Sequence, residues 1–333
     1  MLNKLNRALE KALPLLTPAS VLLGICLGGA IDEYRWLAPW VFAFMTFSGS
    51  LSLNFKQFMN VLSHPLPLVL TFILLHVAMP LLALGVGTAA FPDAPLTVTG
   101  LVLLAAIPTG ITSFVWVSML KGNTALTLAI ILIDTMLAPF VVPHTVAYLV
   151  GAEVAMDPVA MMRGLLGMIV LPSLLGMALH QWTRGRVHAV WSPRLSPFSK
   201  LAMAVVVALN SAFIAPHLQR IDAALIGLAA VVLALAAAGY ALGWLSSRAL
   251  RADSETALAL TLNSGMRNIG AGAVLAVTYF PAPVAVPVVL GMLFQQSLAS
   301  LFGYALTRSR RPAPLAAPTA AHTKKRQPDA PVG

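Results

Sequence analysis

Two ionisable side chains stand at depths where a bilayer has no water. Arg267 lies in Thr261-Leu262-Asn263-Ser264-Gly265-Met266-Arg267-Asn268-Ile269-Gly270-Ala271-Gly272, the centre of a stretch otherwise apolar enough to cross a membrane. Asp134, in Ile133-Asp134-Thr135, is the only acid set deep in a comparable stretch. A charge at membrane depth is costly and by default marks a functional site. A lone guanidinium and a lone carboxylate on neighbouring helices invite an ion pair, because removing either leaves a buried charge uncompensated. Arg267 and Asp134 are therefore expected to face one another. The pair can serve as a structural lock, bind an anion bidentately through the guanidinium, or exchange protons through the carboxylate.

The elements that must position these residues follow from composition. The chain has 333 residues, 59% of them hydrophobic and only 10% charged, with a mean hydropathy of +0.85. Those values lie far outside the soluble range and predict an all-α membrane protein. Runs of about 20 apolar residues are continuous rather than alternating, so helices and not barrel strands are expected. The single cysteine, Cys26, rules out an intrachain disulfide and thiol metal sites and reads as a small core residue. Lys4, Arg7 and Lys11 before the first run imitate a signal peptide, but the many later runs favour an uncleaved first helix.

Apolar runs predict about ten spans: 13–31, 36–55, 66–91, 96–120, 123–150, 159–182, 199–216, 222–246, 254–280 and 283–307. Threading them alternately puts most basic residues on one side, among them Lys4, Arg7, Lys56, Lys121, Arg184, Arg186, Arg248, Arg251 and Arg308. The other side holds Arg35, Arg163 and Arg220. By the positive-inside rule both termini are cytoplasmic, in a plasma or inner membrane. The net charge of +10 thus reflects topology and gives no reason to expect nucleic-acid binding. Residues 1–12 form a cytoplasmic N-terminus and 13–307 the transmembrane domain. Residues 308–333 read as a disordered basic tail with some attraction to the lipid bilayer.

Ten spans with both ends inside divide into halves of five, 13–150 and 159–307, which enter from opposite sides as an inverted repeat. Corresponding spans, the fourth and ninth, both carry helix-breaking residues: Pro108 and Gly110 in one, Gly265 and Gly270 in the other. Paired interruptions of this kind point to a transporter's binding site, because broken helices present free backbone donors at mid-membrane.

With these motifs in place the chain resembles the bile acid:sodium symporter family over nearly all of residues 10–307. The resemblance is carried by Leu51-Ser52-Leu53-Asn54-Phe55 with Phe58 and Pro65, by Pro108-Thr109-Gly110-Ile111-Thr112-Ser113, and by Lys121-Gly122-Asn123-Thr124-Ala125-Leu126-Thr127. Ala138-Pro139 before Pro143 and Gly265-Met266-Arg267-Asn268-Ile269-Gly270 complete it. It implies a panel domain of spans 1, 2, 6 and 7, and a core domain of spans 3–5 and 8–10 in which unwound spans 4 and 9 cross. Sodium-coupled members typically read Glu-x-Gly-Met-Gln-Asn-Ser-Gly in the ninth span. Here Asn263 stands for the Glu and Arg267 for the Gln; Phe114 and Ile131 also lack expected oxygens, while Ser113 and Thr127 keep theirs. Arsenite-exporting relatives typically place a cysteine where this chain has Thr109.

A guanidinium repels sodium, a hard cation that wants several oxygens. Sodium coupling is therefore in doubt, Arg267 can act as an internal cation in its place, and proton coupling through Asp134 stays open. The expected function is secondary active transport of a small organic anion by alternating access. The candidate site is Arg267, Asp134, Asn268, Asn263, Ser264, Thr112, Ser113 and Thr127, the helix N-termini at the breaks favouring a carboxylate. Sodium-coupled symport of bile-acid-like or other carboxylates is the alternative, and a receptor or channel the alternative of another class. No nucleophile with a base at matched depth suggests an enzyme, and no cofactor is implied. His76 and His144 lack metal-ligand spacing and read as core or interface histidines. Gln295-Gln296 reads as helix glue, and Gly24-x-x-x-Gly28 and Gly239-x-x-x-Gly243 as packing motifs.

Overall fold

The computed structural model describes residues 2–52, 65–151, 154, 156–218 and 222–308. Asn54, Phe55, Lys56, Phe58, Arg220 and the tail 309–333 lie outside them. Every regular element among the described residues is helical. We number the main helices α1 (Leu2–Leu27), α2 (Ala38–Ser50), α3 (Pro65–Ala90), α4 (Pro95–Ala106), α5 (Thr112–Met119), α6 (Thr124–Val150), α7 (Pro158–Trp182), α8 (Arg186–Leu218), α9 (Ala223–Ala249), α10 (Ser254–Gly265), α11 (Ile269–Tyr279) and α12 (Ala282–Arg308). Six of these, α3, α6, α7, α8, α9 and α12, are long and apolar enough to cross a membrane. Leu22, Leu81, Phe140, Leu175, Ile226 and Leu301 are exposed on the helix bundle. In water such a surface would aggregate; in a bilayer it is the solvated face. Cys26 is on that face too, which corrects its expected place in the core: next to lipid a small apolar residue gains nothing by turning inward.

Helix ends follow local chemistry. Asn123, Asp157, Asp222 and Asp253 cap α6, α7, α9 and α10 with side-chain oxygens that accept backbone N–H groups. The backbone N–H of Thr256, foremost, holds the Asp253 carboxyl below the usual aspartate range. At the opposite ends of α5, α7 and α9 the chain turns through Lys121, Arg184 and Arg251, all left-handed (φ 56°, 51° and 51°). In each case the next N–H reaches back to a carbonyl five residues earlier, as in Gly122 N to Val117 O at 2.8 Å. A basic side chain at a helix C-terminus complements the dipole.

Two helices contain a π-turn, Leu74–Ala78 in α3 and Leu166–Val170 in α7. Each ends two residues before a proline, Pro80 or Pro172. Proline offers no N–H to the preceding turn and its ring crowds the carbonyl there, and one wider turn accommodates it. Small residues set the close crossings: a Cβ on Gly24 would meet the Ala208 carbonyl of α8, and one on Gly243 would meet Ser264 of α10. The helix that contains the expected seventh span, 199–216, begins earlier, at Arg186. Ser196 in this extension donates to Asn6 of α1, so its early turns are held by the N-terminal part of the first helix.

Candidate functional site

Pro108 lacks the N–H that would continue α4, so the helix stops at Ala106 and Ile107 is extended (φ −60°, ψ 145°). No proline breaks the second site, yet after Gly265 Met266 is extended in the same way (φ −92°, ψ 119°). The two breaks meet: Thr109 and Arg267 form an isolated antiparallel bridge, and Asn268 N donates to Pro108 O at 2.7 Å. Each break thereby satisfies backbone groups that the other exposes, a necessity where water is absent. Gly110 permits the approach, since a Cβ there would lie 3.2 Å from Arg267 O and from Asn268 Cα. Gly265 is packed so closely on the Tyr240 ring that a Cβ would collide with it, and one on Gly270 would press Phe42 at 3.0 Å.

Around the crossing the hydroxyl and amide groups close a neutral network. Thr109 Oγ1 donates to Met266 O at 2.8 Å. Ser113 Oγ donates to Asn263 Oδ1 at 2.8 Å, and Asn263 Nδ2 donates to Thr127 Oγ1 at 2.9 Å and to Ala259 O at 2.8 Å. Thr127 in turn donates to Asn123 O at 3.0 Å. Asn263, Ser113 and Thr127, proposed from separate stretches of sequence, are thus one fully buried chain of hydrogen bonds. Both amide hydrogens of Asn263 are used, so two of its positions are occupied by donors where a cation would need acceptors.

The charges are arranged differently from expectation. Arg267 is buried, with its backbone N bonded to Gln295 Oε1 at 2.9 Å. One terminal nitrogen points at the carbonyl oxygens of Leu75 and Ile107, 3.4 Å from each; the other is buried with no hydrogen-bond partner. Asp134 is fully buried and makes no ion pair with Arg267. Its Oδ2 accepts the Thr109 N–H at 2.6 Å, and its Oδ1 lies 2.7 Å from His76 Nε2. The expected direct Asp134–Arg267 pair is therefore corrected. Pro108 frees the Thr109 N–H by stopping α4, and the π-turn in α3 delivers His76 and the Leu75 carbonyl, so nearer partners take the carboxylate. The two charges still attract across the bridge.

His76, expected to be a core or interface histidine, is the direct partner that sequence reasoning missed. Its Nδ1 is buried without a partner, and its ring stacks on Phe72 with centroids 5.8 Å apart. Pro80, four residues further on, was the available signal, since proline disturbs the turn that carries residue 76. Gln295 and Gln296 join helices as expected, the second accepting from Trp116 Nε1 at 2.8 Å. Thr112 opens α5, and Asn268 caps α11 by accepting from Ala271 N at 3.4 Å. Ser264 Oγ is buried without a partner. It shares with Arg267, Gln295, Met79 and Leu104 a cavity of about 30 Å³, room for about two water molecules and too little for an organic anion.

Residues 39–220 match the model of the sodium bile acid symporter family. The chain belongs to that family. It is 52% identical over 296 residues to the uncharacterized protein YbaS of Bacillus subtilis (strain 168), covering 89% of this chain and 97% of that one. To the uncharacterized sodium-dependent transporter YocS of the same bacterium it is 26% identical, covering 76% of this chain and 78% of YocS. To the probable sodium/metabolite cotransporter BASS1, chloroplastic, of Oryza sativa subsp. japonica it is 28% identical, covering 80% and 66%. Members of the family are transporters rather than enzymes, and this one is an integral membrane protein.

Proposed function

We propose that the chain is a secondary transporter of a small organic anion, working by alternating access, in which Arg267 is a fixed cation in place of the family's coupling sodium. One observation carries this reading: the buried Arg267 guanidinium, at the crossing of two broken helices, turns one nitrogen toward the Leu75 and Ile107 carbonyls and has none for the other. Backbone carbonyls at a π-turn and a helix break are the ligands a hard cation takes. The Asn263 amide donors, directed at Thr127 and Ala259 while its oxygen accepts from Ser113, support the same reading for a second cation position.

The paired breaks and the charge asymmetry support ten spans in two inverted five-helix repeats, 13–150 and 159–307. Spans 3–5 and 8–10 form the core, spans 1, 2, 6 and 7 the panel, and both termini are cytoplasmic in a plasma or inner membrane. The N-termini of α5 and α11 converge on the crossing with Thr112, Ser113 and Asn268, and an anion there would gain their partial positive charge. Opening of the small cavity would let Ser264 and the unpartnered Arg267 nitrogen reach it.

The coupling ion on this reading is a proton, held by His76 and Asp134. Asp134 and Arg267 offset one another, so protonating the imidazole makes the buried cluster positive, and a monovalent anion returns it to neutral. The competing reading is sodium coupling, as in the printed names of YocS and BASS1. Proteoliposomes given pyruvate, benzoate or taurocholate under separately imposed sodium and proton gradients decide between them. Uptake driven by the proton gradient alone is expected, and His76→Gln should abolish accumulation while keeping anion exchange. Strict sodium dependence would sink the fixed-cation reading.

A further inference from the structure

The crossing cavity is too small for any organic anion, whereas about 540 Å³ is open elsewhere, lined among others by Arg35, Trp36, Phe213, Thr278, Tyr279 and Phe280. That volume is within the range of small-molecule sites, roughly 300–1,000 Å³. It lies between the α1–α2 connector, the last turns of α8 and the far end of α11. The near end of α11, only 11 residues away, is the crossing itself, a distance of about 16 Å at 1.5 Å per residue. We propose that this cavity is a capture site for an amphipathic organic monoanion, a carboxylate or sulfonate with an apolar body, from which substrate passes along α11 to the crossing. This rests on the transport reading given above.

Arg35 supplies the charge. Its guanidinium carbon is 5.0 Å from the centroid of the Phe213 ring, which fixes the group over the cavity wall. Its carboxylate neighbour, Asp32, is 3.6 Å away, and both side chains are more than a third exposed. A contact that long and that wet is worth about 0–1 kcal/mol, so most of the five N–H donors remain for a ligand. Trp36, Tyr279 and Phe280 supply flat apolar surface for the ligand's body. Arg35 is also one of the few basic residues on the side that the charge count assigns to the exterior, and the connectors that frame the cavity are on the same side. Capture from outside implies uptake as the working direction.

The test is isothermal titration of 1-naphthoate, with 1-naphthalenemethanol as neutral control, into the full chain in lipid nanodiscs and into empty discs. One naphthoate per chain is expected to bind, with Arg35→Gln weakening it about tenfold and Phe213→Leu weakening both ligands. Thermal unfolding of each variant checks that it is folded. If Arg267→Gln abolishes binding and Arg35→Gln leaves it intact, the capture site is overturned and the crossing is the anion site. If naphthoate binds no better than to empty discs, or equally well to the wild type and Arg35→Gln, the capture site is likewise overturned. The transport reading is judged separately by the gradient experiment.

Discussion

At the scale of single residues, the site joins a buried guanidinium and a buried carboxylate to a neutral network of amide and hydroxyl groups. Asn263 illustrates it, for its side chain spends both hydrogens on Thr127 and Ala259 and accepts from Ser113. An Asn263→Asp change would place a carboxylate beside two hydroxyls but remove both donors. We expect it to destabilise the protein by about 3 kcal/mol, the scale for an uncompensated buried charge. Sodium chloride, and not choline chloride, should recover part of the loss in thermal unfolding; equal recovery by both salts would mean that no cation position survives here. Arg267 and Asp134 were legible from sequence because charge at membrane depth is rare. Their partners were not, because proximity across helices depends on turns far from either residue.

At the scale of elements, prolines decide the outcome. Pro108 stops α4 and exposes the Thr109 N–H that Asp134 takes. Pro80 follows the π-turn that presents His76. Replacing Pro80 by Ala lets α3 continue as a regular helix and turns His76 away from Asp134. Pro80→Ala should therefore abolish proton-driven accumulation as His76→Gln does, with thermal stability kept; unchanged accumulation would separate the π-turn from coupling. The helix ranges were largely legible, as with 123–150 against Thr124–Val150 and 283–307 against Ala282–Arg308. A hydrophobic run measures the bilayer, and the bilayer sets the length. The early start of α8 at Arg186 was not, because its first turns are polar and contain Pro193 and Pro197.

At the scale of the molecule, the proposed transport and the proposed capture both depend on sidedness. In a Cys26→Ser background, harmless because Cys26 is exposed, Arg35→Cys should react with a membrane-impermeant maleimide in intact cells. Arg251→Cys should react only after permeabilisation, and the reverse pattern would invert the topology and the proposed direction. The sequence by itself determined that this is a helical membrane protein, that two of its apolar stretches are broken, and that Arg267 stands in one of them and Asp134 deep in a neighbouring unbroken one. Hydropathy and helix breaking are local properties, and a local reading recovers them. Only the tertiary structure decided that the breaks bridge through Thr109 and Arg267, that His76 and not Arg267 holds Asp134, and that the open space lies beside Arg35. Those outcomes depend on competition among donors brought together from α3, α4, α6 and α10–α11, and the nearest well-directed partner wins where no water can substitute.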